Sequence, residues 1–346
     1  METKIIGIKD IGGPFAKSAL KEAAQLICAG QLVAFPTETV YGLGANALDA
    51  AACAAIFAAK GRPADNPLIT HIADITMLTV LADPTPLALE LIRAFWPGPL
   101  TLVLPKKPAV PHIVSAGLPT LAIRWPSCAL AQALINTAQR PIAAPSANLS
   151  GKASPTTAAH VYADFAGKIP LILDGGPVEI GLESTVVDAC GSTPLILRPG
   201  QVLAEELSAV SGQPVSYAGT AAVDRPASPG LKYRHYAPQG ELQLAGDLAA
   251  ILRARAGLKK KYGQEPLLIV CAQTAAHLPG DAKTLVIAQR NDLPVYARHL
   301  FAALRQADEE HYPALVAETV PEHGLGIAIM NRLRKAAAPH NQAPAK

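Results

Sequence analysis

Gln31–Ala47 reads QLVAFPTETVYGLGANA, and how this stretch is divided decides the fold. Its first six residues are short, apolar and rich enough in β-formers to suit a buried strand, and Pro36 ends the run. The remainder, PTETVYGLGAN, is a polar loop that presents Thr37, Glu38, Thr39, Tyr41 and Asn46 between glycines able to let backbone approach a ligand. Asp49 then suits an N-cap for an Ala-rich helix over residues 50–60, with Gly61 just past its end. A buried strand, a loop of hydrogen-bonding side chains and a capped helix make one α/β unit with a candidate site in its loop.

The same alternation continues on both sides. An amphipathic helix is expected over residues 15–29, stopped by Gly30. Strands are expected at Leu68–Ala73, Thr101–Leu104, Leu121–Trp125, Ile142–Ala144, Leu171–Asp174, Thr185–Asp188 and Leu195–Leu197, with helices near 86–95, 128–138, 156–165 and 202–210. Such a pattern gives an α/β fold, and its many short connections also permit a mixed sheet. From about residue 211 the period is lost in a Gly-, Pro- and Ser-rich linker. After Gly240 a smaller α/β pattern follows, with strands Leu267–Cys271, Thr284–Ile287 and Ala314–Ala317 and helices near 247–260, 294–309 and 325–337. The domains expected are therefore 10–210, a linker over 211–240, and 241–340, the last a three-layer Rossmann-like unit.

Composition narrows the class. The chain has 346 residues, 50% hydrophobic and 16% charged, which supplies two cores and gives no sign of disorder. A net charge of +3 is too mild for a protein that grips many duplex phosphates. Cys28, Cys53, Cys128, Cys190 and Cys271 are scattered with no C-x-x-C pair, so they suggest small buried hydrophobes in a reducing compartment, not a disulfide framework or a zinc site. The charged N-terminus does not resemble a signal peptide, and no apolar run approaches the roughly 20 residues that cross a bilayer. A cytoplasmic, soluble protein is expected.

Two phosphate-loop patterns fail. Gly12–Ser18 has Ala16 where a Walker A loop needs glycine before its lysine. Gly42–Ala47 fits G-x-G-x-x-A, but five residues separate it from the strand that a Rossmann turn would follow directly. Other clusters are more suggestive. Lys60 and Arg62 could simply complement a helix C-terminus, yet Arg62 and Asn66 in a proline-stiffened loop also suit a polyanion. His71 alternates with apolar residues in a strand, and a lone strand histidine is more often a satisfied core residue than a ligand. Arg124 at the end of an apolar strand is costly to bury without an anion partner, so it reads as a carboxylate or phosphate ligand. Ala143–Pro155 brings Ser146, Asn148, Ser150, Lys152 and Ser154 into one loop, with Ser154-Pro155 suited to start a helix. Ser184 and Thr185 head one strand, and Arg198 ends another.

Taken in order, PTETVYGLGANA (36–47), KGRPADNPLITHI (60–72), WPGPLT (96–101), PSANLSGKASPT (145–156), ESTVVD (183–188), LRPG (197–200) and SPGLKYRHYAP (228–238) resemble the YrdC-like family, and within it the long two-domain threonylcarbamoyl-AMP synthases. The resemblance implies a twisted open mixed sheet with helices, followed by the linker and the smaller domain. It implies an enzyme that joins ATP, L-threonine and bicarbonate or CO2 into threonylcarbamoyl-AMP and pyrophosphate, an intermediate for the modified adenosine 37 of tRNAs that read codons beginning with A. The family's K-x-R and S-x-N elements fall at Lys60, Arg62, Ser146 and Asn148. By similarity Thr39, His71, Arg124, Ser184 and the backbone of Ala144 would hold threonine, and Arg62, Asn66, Thr120, Ser146, Ser154, Arg198 and Tyr236 would contact ATP.

Carboxylate attack on a phosphoryl group needs positioning and charge neutralisation, not a covalent nucleophile, which suits a site of cations and hydroxyls. Mg2+ is expected on the substrate phosphates, with no protein ligand. Ser228–Pro238 is expected to close over the site as a lid. The acceptor of the product would be a tRNA-modifying transferase complex, with no membrane and no stable nucleic-acid complex required. Rival readings are an RNA-binding module of the same fold, which would lose affinity steeply with salt, a hydrogenase-maturation carbamoyltransferase, whose zinc-finger cysteine pairs are absent, and an NAD-dependent oxidoreductase built on Gly42–Ala47.

Overall fold

The structure, a computed structural model, describes residues 2–219 and 235–338. Its first elements are β1 (Lys4–Gly7), α1 (Pro14–Cys28), β2 (Val33–Phe35), β3 (Gly42–Asn46), α2 (Ala50–Lys60) and β4 (Ile69–His71). Next come α3 (Ile75–Leu81), α4 (Pro86–Phe95), β5 (Leu100–Pro105), β6 (Thr120–Arg124), α5 (Ala129–Ala138) and β7 (Ile142–Ala143). The series continues with α6 (Ala158–Phe165), β8 (Leu171–Asp174), β9 (Thr185–Asp188), β10 (Leu195–Arg198), α7 (Ala204–Ser211) and β11 (Ser216–Tyr217). The later elements are β12 (Glu241–Ala245), α8 (Leu248–Tyr262), β13 (Leu267–Cys271), α9 (Ala272–Ala275), β14 (Thr284–Ala288), α10 (Leu293–Glu309), β15 (Ala314–Glu318) and α11 (Leu325–Ala336).

The chain packs as two units. Among the described residues the first holds 2–150, Pro155–Glu179 and 183–219, and the second holds Gly151–Ser154, Ile180–Leu182 and 235–338. In the first unit eleven strands form one sheet in the order β1-β8-β2-β3-β7-β4-β6-β5-β9-β10-β11. It is mixed, since β4 lies parallel to β6 and β5 parallel to β9, while β7 runs antiparallel to both its neighbours and β5 antiparallel to β6. Strands β1 and β11 lie outside the 10–210 range expected for this domain and extend its sheet at both edges.

The stretch that opens the reading of this sequence is not all loop. Gly42–Asn46 forms β3, paired with both β2 and β7. Glycine is needed there because a Cβ on Gly44 would lie 2.7 Å from the Phe35 ring and 2.8 Å from Ile142, so its role is close strand packing, not dinucleotide binding. The helix that follows is built as its sequence dictates. Asp49 accepts from Ala51 N and Ala52 N at 2.9 and 3.1 Å, and Gly61 closes the other end at φ 60°. A cap of this kind contributes about 1 kcal/mol.

Two apolar layers flank the sheet. One gathers Leu43, Ile56, Leu68, Leu91, Leu102 and Phe165, and the other packs α1 and α5 against Val33, Phe35 and Leu173. A smaller patch, Ile69, Val103, Ala122 and Val186, stands apart from both. Among the cysteines Cys53 and Cys271 are buried as expected, but Cys28 is exposed at the end of α1.

The second unit carries a parallel sheet in the order β12-β15-β13-β14. Its first strand, ELQLA, was not among the three expected, because only Leu242 and Ala245 of its five residues are fully buried and its apolar signal is weak. Ser228–Arg234, most of the expected lid, lies outside the described residues.

Candidate active site

Strand register builds the site. His71 of β4 stands beside Arg124 of β6, which stands beside Thr101 of β5. Thr101 pairs in turn with Val186 of β9, and Val186 with Arg198 of β10. Paired residues on adjacent strands point to the same face of a sheet, so this row turns His71, Arg124 and Thr101 to one side. Arg198 follows a register shift in β10 and is tied to that side through Ser184, which meets both it and Thr101. The row behind it on that face is Ile69, Ala122 and Val103, the small apolar patch, which forms a dry floor. A lateral step between strands is about 4.8 Å, so Arg124 and Arg198 are some 14 Å apart at the backbone, room for a ligand with two charged ends.

Arg124 is 3% exposed and is held from three directions. Its Nε donates to Gly98 O at 3.2 Å and its Nη1 to Thr39 Oγ1 at 2.8 Å. Its Nη2 lies 2.6 Å from Glu38 Oε1, an ion pair in contact although not aligned as a directed hydrogen bond. Glu38 Oε1 also accepts from Ser127 N at 3.1 Å, while its Oε2 is buried and unpaired. Burial alone would push the Glu38 carboxyl up, and the Arg124 guanidinium with the Ser127 N–H outweighs it and holds the carboxyl below the usual carboxylate range. The expectation that Arg124 requires an anion is met here by a side chain of the protein.

His71 is fully buried, its Nδ1 has no hydrogen-bond partner, and burial together with the Arg124 charge depresses its pKa to about 3. It is a neutral imidazole at physiological pH, available for hydrogen bonding to a ligand. Asn66 Oδ1 is likewise buried and unpaired. Buried polar atoms without partners are uncommon in folded proteins, and those of Asn66, Thr70 and His71 lie on β4 and the loop ahead of it.

The hydroxyl and cation clusters are more completely tied. Thr101 Oγ1 and Ser184 Oγ are 2.7 Å apart, and Arg198 Nη2 donates to Ser184 O and Oγ at 3.0 and 3.2 Å. Gly200 follows in a turn where a Cβ would meet Thr185 N at 2.4 Å, so only glycine lets the β10 end lie against the β9 start. Lys60, 3% exposed, directs its ammonium to Ser146 O at 2.5 Å and to Asn148 O. Ser146 Oγ meets Asn148 Oδ1 at 2.5 Å, and Ser146 bridges to Gly42 at the head of β3. The K-x-R and S-x-N elements are thus bound to each other. Arg62, half-buried, donates to Asn66 O at 3.2 Å and Pro67 O at 3.0 Å, which braces the loop ahead of β4. Ala144 commits its N–H to Ile69 O at 2.8 Å, leaving its carbonyl as the group able to serve a ligand.

Three residues stand differently from expectation. Ser154 is not the N-cap of α6: that helix begins at Ala158, and Thr157 caps it by accepting from His160 N. Ser154 and Tyr236 both belong to the second unit. There the Tyr236 ring stacks on Phe301 at 5.0 Å, with Arg332 at 5.9 Å from its centroid, and its backbone takes φ 66°. Thr120 begins β6 opposite Pro105, at the far end of that strand from Arg124. In the sequence Glu38 reads only as a loop hydrogen-bonder and Thr101 only as a strand residue. The signal for Glu38 was an acid inside a loop otherwise suited to anions.

Glu38 also lines, with Thr37, Lys9, Ser127, Cys128 and Gly176, a cavity of about 370 Å3 in the first unit. No group of three or more His, Cys, Asp or Glu among the described residues could hold a metal ion.

The chain is similar to proteins of known family over nearly its whole length. Residues 25–200 match the Sua5/YciO/YrdC family model, described as "Telomere recombination", and residues 202–338 match the threonylcarbamoyl-AMP synthase C-terminal domain. A threonylcarbamoyl-AMP synthase of Pyrococcus abyssi is 48% identical over 92% of this chain and 93% of its own length, and one of Bacillus subtilis is 46% identical over 92% of each. The crystal structure of Pyrococcus abyssi Sua5 complexed with L-threonine superposes with a TM-score of 0.88 at 45% identity, covering 96% of this chain and 97% of that one. Escherichia coli YciO, 23% identical with a TM-score of 0.52 over 58% of this chain and 96% of its own, shares the fold of the first unit. The chain belongs to the Sua5/YciO/YrdC family, in its two-domain form with the threonylcarbamoyl-AMP synthase C-terminal domain.

Proposed function

We propose that this chain is an L-threonylcarbamoyladenylate synthase, a nucleotidyltransferase that uses ATP, L-threonine and bicarbonate or CO2. The observation that carries the reading is the buried row of His71, Arg124 and Thr101 on a single face, tied to Arg198 through Ser184, with unpaired polar atoms at Glu38, His71 and Asn66 beside it. Relatives that bear this name match over more than nine-tenths of both chains, which supports the same activity here and disfavours a purely RNA-binding module.

In the proposed reaction Arg124 takes the threonine carboxylate bidentately, with Thr39, His71, Ser184 and the Ala144 carbonyl around the rest of the amino acid. The amino group gains a carboxylate, and that carboxylate attacks the α-phosphorus of ATP as pyrophosphate leaves. Arg62, Asn66, Ser146, Arg198, Thr120, Ser154 and Tyr236 are the proposed ATP contacts. The Lys60 ammonium fixes the Ser146–Asn148 loop and adds positive charge near the phosphates, so its part is positioning and electrostatics. Mg2+ would be held by phosphate oxygens and water, since the donors here are cations and hydroxyls.

The product passes to a tRNA-modifying threonylcarbamoyl transferase complex that acts on adenosine 37 of tRNAs reading ANN codons, in the cytoplasm. No helix among the described residues is long and apolar enough to cross a membrane. The expected lid, Ser228–Pro238, gives a test of closure, because removing it together with all that follows should abolish adenylate formation. The reading as a whole is tested by pyrophosphate release. Release should require both L-threonine and bicarbonate, and equal release from ATP alone would overturn it.

A further inference from the structure

The reaction has a chemical requirement that the row of cations cannot meet. Threonine at neutral pH carries an ammonium, whose nitrogen has no lone pair and cannot attack carbon. An α-amino group has a pKa of about 8 in a peptide and a higher one in a free amino acid, where the carboxylate stabilises the cation. A base beside the amino acid must take that proton.

The carboxylate of Glu38 meets the geometric demands. It touches the guanidinium proposed for the substrate carboxylate, at 2.6 Å from Arg124 Nη2, and it is 4% exposed. One oxygen is occupied by Ser127 N and Arg124, and the other, Oε2, has no partner. In effect Glu38 fills the place of a ligand carboxylate on Arg124. We infer that the threonine carboxylate displaces Glu38 from Arg124, and that Glu38 Oε2 then takes the proton from the threonine ammonium. This rests on the proposed placement of threonine at Arg124.

The balance is simple. An N–H bond of the ammonium breaks, its electron pair stays on nitrogen, and the proton forms an O–H bond on Glu38. The free amine then attacks the carbon of bicarbonate; a C–N bond forms and one water leaves, giving the N-carboxylate. With CO2 as the reactant, the second amine proton goes to water. Glu38 returns its proton to solvent through the cavity of about 370 Å3 that it lines.

The surroundings favour this base over its neighbours. Burial is the largest influence on Glu38 and pushes its carboxyl up; Arg124 is what holds it down, so transferring the guanidinium to the substrate raises its basicity at the step that needs it. His71, facing from β4, is held by burial near pKa 3 and is a poor proton acceptor. The Cys128 thiol, ahead of α5, is pushed up by burial and stays neutral. Thr37 and Thr39 on the same loop do not titrate, and Lys9 and Glu179 stand at the cavity lining.

The experiment compares the parent with Glu38→Gln and Glu38→Asp, following threonylcarbamoyl-AMP formation from pH 6.5 to 9.5 and L-threonine binding by calorimetry. Glu38→Gln should bind threonine with an affinity within several-fold of the parent while kcat at pH 7 falls about 10²–10⁴-fold, the usual contribution of a general base. Its rate should then climb about tenfold per pH unit until the amine titrates, where the parent profile is flat. Glu38→Asp should keep the parent's profile at reduced rate, which guards against a Gln variant that misfolds. Parent-like kcat and pH profile in Glu38→Gln, or a Gln-like slope in Glu38→Asp, would overturn the role. Threonine binding that survives Arg124→Ala would instead refute the placement of threonine, a separate failure.

Discussion

Among the described residues, two buried glutamates that pair with arginines, Glu38 with Arg124 and Glu318 with Arg290, are wired in opposite ways. In the first unit Glu38 and Arg124 are both buried, with side chains 3% and 4% exposed, and each retains a polar atom without a directed hydrogen bond. In the second unit Glu318 ends β15, and its oxygens accept from Cys271 N at 2.7 Å, Thr274 Oγ1 at 2.8 Å and Arg290 Nη2 at 3.2 Å. There the arginine side chain is 54% exposed and dispensable, because the neutral donors already satisfy the carboxylate. Burying an ion pair costs desolvation that the mutual attraction only partly offsets. A satisfied carboxylate at a strand end staples its own sheet, while an incompletely satisfied pair is poised to exchange one partner for a ligand.

The widest separation between the two pairs should come from Arg124→Ala. Removing one member of a desolvated charge pair that is also the proposed threonine ligand should cost about 2–5 kcal/mol, or roughly 30- to several-thousand-fold in kcat/KM for threonine. Initial rates at limiting threonine check it, and a loss under threefold would erase the distinction between the two regions. Glu318→Ala should act on stability instead. It strands Cys271 N and Thr274 Oγ1, at about 1–3 kcal/mol for each buried donor left unpaired. Denaturant titration should register that loss, while threonine affinity stays at the parent value.

A smaller effect sharpens the contrast through pH. Burial lowers the pKa of His71 to about 3 from an ordinary value of 6.5, so between these values the unfolded chain binds a proton that the folded chain refuses. Stability therefore rises with pH across this window and falls on acidification, by up to about 1.4 kcal/mol per pH unit below 6.5. Urea midpoints at pH 6.5 and 5.5 should differ less in His71→Gln than in the parent; equal shifts would remove His71 from the account. The smallest change belongs to Arg290→Gln, whose half-exposed side chain should alter stability by less than about 1 kcal/mol and leave threonine dependence intact.

Much of this was legible in the sequence because it is encoded locally. Asp49 and Gly61 announce their helix, and the cation- and hydroxyl-bearing segments stand where strands end. Gly42–Asn46 was not legible as a strand, since its composition argues against one and only the packing of Phe35 and Ile142 over Gly44 explains it. Ser154, Thr156 and Thr157 all offer hydroxyls near one helix start, and Thr157 is the one that caps it. The pairing of Glu38 with Arg124 joins residues far apart in the chain, so no periodicity could reveal it. The strand register that sets His71, Arg124 and Thr101 in one row depends likewise on strand order, which local pattern leaves open.

In the proposed reaction carbonate carbon, threonine and the adenylate of ATP are joined at this row. The direct measurement is mass spectrometry of the products formed by the purified chain from ATP, L-threonine and 13C-bicarbonate, with Arg62→Ala and Arg124→Ala run beside it. Threonylcarbamoyl-AMP carrying the label is expected from the parent, with its loss from both folded variants. Undiminished product from the variants, or a folded parent that releases no labelled adenylate, would contradict the proposed reaction.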